Sequence, residues 1–243
     1  MQRTDRVYEI RRYILNIEDI TLSIVIPCYN EKDNIESLVK RVLDSPVPNK
    51  EIIVVNDKST DGTDIILKEK IEPLVSKVIH HEQNGGKGAA LKTGFTHATG
   101  DFVIIQDADH EYDPKEYPKV LEPLLKGETK VSYGSRFLNA KAKGYKANQI
   151  ANKFLTFLSN IFTHEHLTDM ETCYKCFERS VIQSIDIEEK RFGFEPEITA
   201  KIADMGIKIK EVPISYAPRT NEEGKKIGFK DGLRAIVCIF KYH

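Results

Sequence analysis

The chain predicts an α/β domain built on a mostly parallel central sheet with helices on both faces. Two observations carry that expectation. Short runs such as Leu22–Pro27, Glu51–Val55 and Phe102–Ile105 are apolar almost throughout, without the in–out alternation of a half-exposed strand. Such runs read as strands buried on both faces. Between them lie segments whose apolar residues recur at helical spacing, and strands alternating with helices indicate a parallel sheet. With no repeat, linker or low-complexity stretch, residues 21–243 are expected to form one unit behind a charged N-terminal arm, residues 1–20.

Taken in order, Leu22–Pro27 is the first strand and Cys28-Tyr29-Asn30-Glu31 the loop after it. Ile35, Leu38, Val39 and Val42 then mark one face of a helix, which ends before Pro46 and Pro48. Strand Glu51–Val55 runs into Asn56-Asp57-Lys58-Ser59-Thr60-Asp61-Gly62-Thr63, where Ser59, Thr60 or Asp61 caps the next helix (about 63–72) and Asp57 is the freer residue. Strand Lys77–His80 leads to Gln83-Asn84-Gly85-Gly86-Lys87-Gly88 and a helix over Ala89–Ala98. After Phe102–Ile105 come Asp107, Asp109 and Glu111. Asp113-Pro114 opens a helix to residue 125, with Asp113 as N-cap and Glu116 closing a capping box. A strand around Lys130–Tyr133 precedes Gly134-Ser135-Arg136-Phe137 and a basic loop, residues 138–146, carrying Lys141, Lys143 and Lys146. Ile150, Phe154, Phe157, Leu158, Ile161 and Phe162 form the apolar face of a helix over Ala147–Thr163, expected to pack on the core. Thr168-Asp169, Cys173–Phe177, a helix over Glu195–Met205 and a strand over Ile207–Val212 follow. The segment Pro213–Arg219 leaves that strand, a polar stretch carries Lys225 and Lys226, and a helix over Phe229–Tyr242 closes the chain.

Composition excludes several classes. A net charge of −1 argues against holding nucleic acid by bulk electrostatics. Four cysteines in 243 residues are too few for a disulfide framework. The lone Cys173-Tyr174-Lys175-Cys176 pair has no second half for zinc and reads as structural, and His164-Glu165-His166 reads as a solvated turn. The first sixteen residues hold no signal-peptide core, and the longest apolar runs fall far short of the ~20 residues a membrane span needs. A cytoplasmic location is expected.

In parallel sheets ligands bind beyond the carboxyl ends of the strands. Tyr29-Asn30-Glu31, Asn56-Asp57, Gly85–Gly88 and Asp107/Asp109 therefore converge on one rim. Asp107 and Asp109, at i and i+2, leave the strand on one side, and such carboxylates repel unless a cation joins them. A hard ion such as Mg²⁺ or Mn²⁺ would satisfy them; the alternative is a merely acidic solvated loop. Gly85–Gly88 at a helix start suits phosphate or is a flexible turn, and it lacks the ending of a P-loop. Arg136 and Arg219, each following a strand, suit phosphate oxygens or are surface arginines.

These pieces together resemble a family 2 glycosyltransferase with a GT-A, Rossmann-like fold. The resemblance rests on Ile26–Glu31, Asn56–Thr63, Asn84–Ala90, Gly100-Asp101 through the D-x-D motif Asp107-Ala108-Asp109, and Gly134–Phe137. Asp109–Pro114 and Pro213–Arg219 resemble, more specifically, the dolichol- or polyprenyl-phosphate mannose and glucose synthases. The resemblance implies that Pro27, Tyr29, Glu31 and Asp57 line the base and ribose pocket of a nucleotide-diphosphate sugar, with Lys87 beside it. Asp107, Asp109 and Glu111 would hold Mg²⁺ or Mn²⁺ on the diphosphate, Arg136 and Arg219 would sit near the phosphates, and Asp169 falls where many members place a base. Asn56 departs from the family's usual Asp, and Glu111 from the lipid-phosphate group's usual Gln.

The activity so implied is metal-dependent, inverting transfer of a hexose from a donor of UDP-glucose or GDP-mannose type. The acceptor is expected to be a polyprenyl or dolichyl phosphate, with the protein peripheral at the inner face of a membrane. Its last helix, with Lys230, Arg234 and Lys241 as a basic stripe, would lie in the bilayer surface; the same pattern also fits an ordinary helix packed on the sheet with the stripe facing water. Three alternatives stand beside this reading: transfer to a glycan hydroxyl with Asp169 as base, a non-catalytic sugar-nucleotide-binding protein, and a sugar-nucleotide pyrophosphorylase. The last is disfavoured because the glycine cluster does not follow the first strand.

Overall fold

The computed structural model describes residues 15–138, 146–219 and 229–242, the side chains of residues 146, 147, 229 and 230 excepted. Most of the N-terminal arm, Lys141, Lys143, Lys225, Lys226 and the side chains of Lys146 and Lys230 therefore lie outside the described residues.

Among the described residues seven strands form one sheet: β1 Leu22–Cys28, β2 Lys50–Asn56, β3 Lys77–His80, β4 Phe102–Ile105, β5 Val131–Ser135, β6 Lys175–Glu178 and β7 Ile209–Pro213. Their spatial order is β3-β2-β1-β4-β6-β5-β7. β1 pairs in parallel with β2 and β4, in register Leu22 with Lys50 and Phe102, and β5 pairs in parallel with β7. Among the described strands only β6 runs antiparallel, between β4 and β5. The sheet is thus mostly parallel, as expected, and the carboxyl ends of β1, β2 and β4 share one edge.

The helices are α1 Ile35–Leu43, α2 Thr63–Ile66, α3 Lys87–His97, α4 Tyr117–Leu125, α5 Lys146–Thr163, α6 Arg179–Ser184, α7 Phe194–Asp204 and α8 Phe229–Lys241. α1 buries Ile35, Leu38, Val39 and Val42, the four residues at helical spacing. α3 lies so close to the sheet that a Cβ on Gly94 would collide with Val25. Before α4, Asp113 caps by accepting from the Lys115 N–H at 3.2 Å. Glu116, however, closes no capping box: its carboxylate accepts from the Ser215 N–H (2.8 Å) and hydroxyl (2.9 Å) and so ties α4 to the segment after β7. The short α6 carries no legible signal, and sequence reading passed over it.

Two corrections concern the surface. The apolar stripe of α5 does not pack on the core: Ile150, Phe154, Phe157 and Ile161 are 68, 54, 64 and 50 % exposed. The helix instead turns Leu155, Thr156, Ser159 and Thr163 inward. Three of those four are small and polar, and Thr156 and Thr163 satisfy themselves on Met170 N–H and Ser159 C=O. On α8, Ala235, Cys238 and Ile239 are buried while Leu233, Val237 and Phe240 stay at least half exposed. Its two described cations, Arg234 and Lys241, are half exposed and each is ion-paired. Arg234 is forked onto Glu189 (3.0 and 2.6 Å), and Lys241 bonds Glu188 at 2.9 Å. Among the described residues no helix is long and apolar enough to cross a membrane.

Candidate active site

The acidic loop after β4 meets the end of β7. Arg219 places its guanidinium 2.5 Å from Asp109 and 3.1 Å from Glu31, while its own N–H donates to Glu111 at 2.8 Å. Lys87, the first residue of α3, puts Nζ 3.0 Å from Asp107 and 3.1 Å from Glu195. The mutual repulsion expected of Asp107 and Asp109 is therefore relieved by two side-chain cations. Burial pushes the Asp107 carboxyl up, but Lys87 outweighs it and holds the net pKa below the usual range. The Glu111 carboxyl moves the other way, raised by burial and by the charge of Asp107 against the opposing Arg219 N–H.

The second polar loop is more rigid than its sequence implies. Asp57 is not the freer residue: it is buried, accepts from the N–H groups of Gly85 (2.8 Å) and Gly86 (2.6 Å), and meets His81 Nδ1 at 2.8 Å. Those glycine N–H groups are therefore not open to phosphate. Gly86 has φ +86°, where L side chains are strained, and a Cβ on Gly88 would collide with the Glu189 carbonyl. The Gly85–Gly88 segment is a packed turn, neither flexible nor an empty anion cradle. Asp61 provides the turn bond to the Thr63 N–H (3.0 Å), and Asn56 accepts from Ser59 N–H (3.1 Å). Pro27, the next-to-last residue of β1, lies opposite Val55, and Tyr29 beyond the strand is partly exposed.

Arg136, just beyond β5, forms a two-bond fork with Asp169, Nε to Oδ2 and an Nη to Oδ1, both at 2.7 Å. Its guanidinium lies over the Tyr216 ring, 5.1 Å from the centroid. Asp169 has no exposed surface. Its backbone is fixed by Glu211, which accepts from the N–H groups of Thr168 (2.7 Å) and Asp169 (2.9 Å). Phe137 joins this group to α5, with Lys153 Nζ 5.4 Å from its ring centroid.

Sequence reading missed Glu171, Lys175, Glu195 and Glu211. The three acids lie in segments without a motif, Lys175 reads from sequence only as the interior of the Cys173–Cys176 pair, and all four are far along the chain from the rim. A charged residue at an apolar or buried position was the one available signal: Lys175 opens the buried strand β6. Cys173 and Cys176 are free buried thiols, which agrees with a structural use. His164 and His166 are exposed, while Glu165 is buried and paired with Lys208 at 3.2 Å.

As a cation site, Asp107, Asp109 and Glu111 offer hard oxygen donors without nitrogen or sulfur, the set that suits Mg²⁺ or Mn²⁺. Among the described residues no three such groups already surround one point. The donor chemistry fits an ion that draws its remaining ligands from substrate phosphates.

Sheet order, the D-x-D loop and the flanking arginines define a GT-A fold, the architecture of nucleotide-sugar-dependent transferases. Glucosyl-3-phosphoglycerate synthase from Mycobacterium tuberculosis, crystallised with Mn²⁺, UDP and glucosyl-3-phosphoglycerate, superposes with a TM-score of 0.72 over 93 % of this chain and 82 % of its own, at 20 % identity. The sequence model described as "Glycosyl transferase family 2" matches residues 23–186; the chain belongs to that family and is a glycosyltransferase. It is 29 % identical to the undecaprenyl-phosphate mannosyltransferase of Micrococcus luteus over 84 % of this chain and 86 % of that one. It is 28 % identical to the low-salt glycan biosynthesis hexosyltransferase Agl6 of Haloferax volcanii over 89 % of this chain. It spans only 52 % of the length of that enzyme.

Proposed function

We propose that this glycosyltransferase moves a hexose from a nucleoside-diphosphate sugar to the phosphate of a polyprenyl lipid at a membrane surface. The observation that carries this reading is the pair of exposed apolar stripes on α5 and α8. The helices touch through Phe162 and Phe240, whose ring centroids lie 5.1 Å apart. Through Phe137 the α5 surface adjoins Arg136. An anion-binding guanidinium beside an uncovered apolar surface suits an acceptor with a phosphate head and a hydrocarbon tail. The name of the Micrococcus relative supports the same acceptor class.

The chemistry follows from the acceptor. A phosphate monoester, with a second pKa near ~6, is mostly dianionic at pH 7. Its oxygen can attack the anomeric carbon without a base, as the bond to the nucleoside diphosphate breaks on the opposite face. Inversion results. Asp169 then serves to hold Arg136, which agrees with its burial and its fork. Pro27, Tyr29, Glu31 and the preorganised Asp57 turn are proposed to line the base and ribose pocket. Asp107, Asp109 and Glu111 would hold Mg²⁺ or Mn²⁺, which when bound acts as a Lewis acid on the departing diphosphate. Arg219 and Arg136 share the negative charge that develops there.

The experiment offers UDP-glucose and GDP-mannose, each with Mg²⁺ or Mn²⁺, to polyprenyl phosphate in anionic liposomes and to soluble sugar acceptors. Lipid-linked hexose is the expected product. Transfer only to a soluble hydroxyl, with activity lost in Asp169→Asn, would establish the alternative in which Asp169 is the base. Absence of turnover with every donor and acceptor would leave a binding protein.

A further inference from the structure

We propose that Glu195 and Glu171 together recognise a hydroxyl group of the transferred hexose. This rests on the nucleoside-diphosphate-sugar reading above and deepens it by assigning the sugar subsite. Glu195 stands in the first turn of α7, with its side chain only 6 % exposed. Its Oε1 is bound by Lys87, whose ammonium also holds Asp107, so Glu195 sits one ammonium away from the first acid of the D-x-D motif. Its Oε2 is buried with no hydrogen-bond partner, and so is Oε1 of Glu171.

Two unsatisfied carboxylate oxygens in one buried cluster call for an explanation, because leaving such atoms unpaired is costly. An ordinary structural ion pair would satisfy them. The lysine available for that, Lys175, instead donates to the backbone carbonyls of Met170 (2.8 Å) and Thr172 and lies over the Tyr133 ring. Burial, reinforced by the charge of Glu195, pushes Glu171 up to about 8, so at neutral pH it carries a proton. The cluster thus offers one donor, Glu171, and one acceptor, Glu195. A hydroxyl is both acceptor and donor, and it can use the two at once. A hexose whose anomeric diphosphate lies at Asp107 and Asp109 carries hydroxyls on carbons close to that point. A site that pairs its buried polar groups only through the right hydroxyl also discriminates strongly against analogues lacking it.

The test compares binding of a nucleotide sugar with binding of its bare nucleoside diphosphate. Calorimetry with UDP, GDP, UDP-glucose and GDP-mannose, in Mg²⁺ or Mn²⁺, is carried out on the wild type, Glu195→Gln and Glu171→Leu, the last because a glutamine would keep the donor that the protonated Glu171 supplies. The expected result is a loss of roughly tenfold to a hundredfold in nucleotide-sugar affinity. The bare diphosphate should keep its affinity within about threefold, the weakly affected case under the same principle. Equal weakening of both ligands would mean that the pair only supports Asp107 and Lys87, and no weakening of either would mean that it touches no sugar; each overturns the proposal. If one variant does not fold, the other carries the same comparison. Failure of both to fold assigns the pair to stability and overturns it too. Should the wild type bind none of the nucleotide sugars, the donor reading falls and this assignment with it. Binding by the wild type that is unchanged in both variants removes the assignment alone.

Discussion

Arg219 neutralises Asp109 and Glu31 through its guanidinium and fixes Glu111 through its N–H. In the proposed reaction it exchanges those carboxylates for diphosphate oxygens, so its interaction strengthens as the leaving group gains charge. Arg219→Ala is therefore expected to lower kcat by about 10²–10³, with a smaller rise in KM. Steady-state kinetics in both substrates reads this, and a pure KM effect would show that Arg219 binds only the ground state. Asp107→Asn and Asp109→Asn should each abolish metal-dependent turnover while the thermal transition stays cooperative. Near-normal activity in both variants would remove the carboxylates from the cation site. These residues were legible because a D-x-D at the end of an apolar run has few other uses. Their partners Lys87 and Arg219 were legible only as candidate phosphate ligands, since the pairing joins positions 20 and 110 residues apart. The Asp57 contacts were not legible at all: a strand-tip acid looks open until the glycine turn folds over it.

Helix α5 shows why periodicity locates a helix but not its inner side. Its apolar stripe is exposed, while Thr156, Ser159 and Thr163 face inward. The hydrophobic pattern alone had assigned the opposite orientation. Phe157→Asp is expected to change stability by less than ~0.5 kcal/mol, because the side chain leaves no core contact behind. The same variant should lose sedimentation with anionic liposomes and transfer to lipid acceptor. Unaltered liposome binding would take α5 out of the membrane-facing surface. Attachment should also resist salt, since Arg234 and Lys241 are already paired with Glu189 and Glu188. The turn before α3 behaves oppositely. Gly88→Ala should cost roughly 1–3 kcal/mol in urea unfolding, because its Cβ meets the Glu189 backbone rather than a movable side chain.

Over the whole molecule, the buried acids set a pH dependence. Glu171 titrates near its usual 4.5 when unfolded and at about 8 when folded. Between those values the native state holds the extra proton, so the contribution of Glu171 to stability falls as pH rises and is fully lost above the folded value. Wild type should therefore lose up to a few kcal/mol relative to Glu171→Gln between pH 5 and pH 8. Urea midpoints at a series of pH values read the difference, and parallel curves would show that Glu171 is not held neutral. By itself the sequence determined the strand–helix alternation, the parallel half of the sheet, the rim at its carboxyl edge and most residues on it. Those features rest on local patterns: apolar runs, helical spacing, turn chemistry and a short acidic motif. Tertiary structure alone decided the antiparallel insertion of β6, the outward face of α5, the closed Asp57 turn, and the convergence of Lys87, Glu195 and Glu171. Each of these depends on which distant segments share a boundary, because side-chain pairing and burial are set by neighbours in space, which periodicity along the chain does not encode.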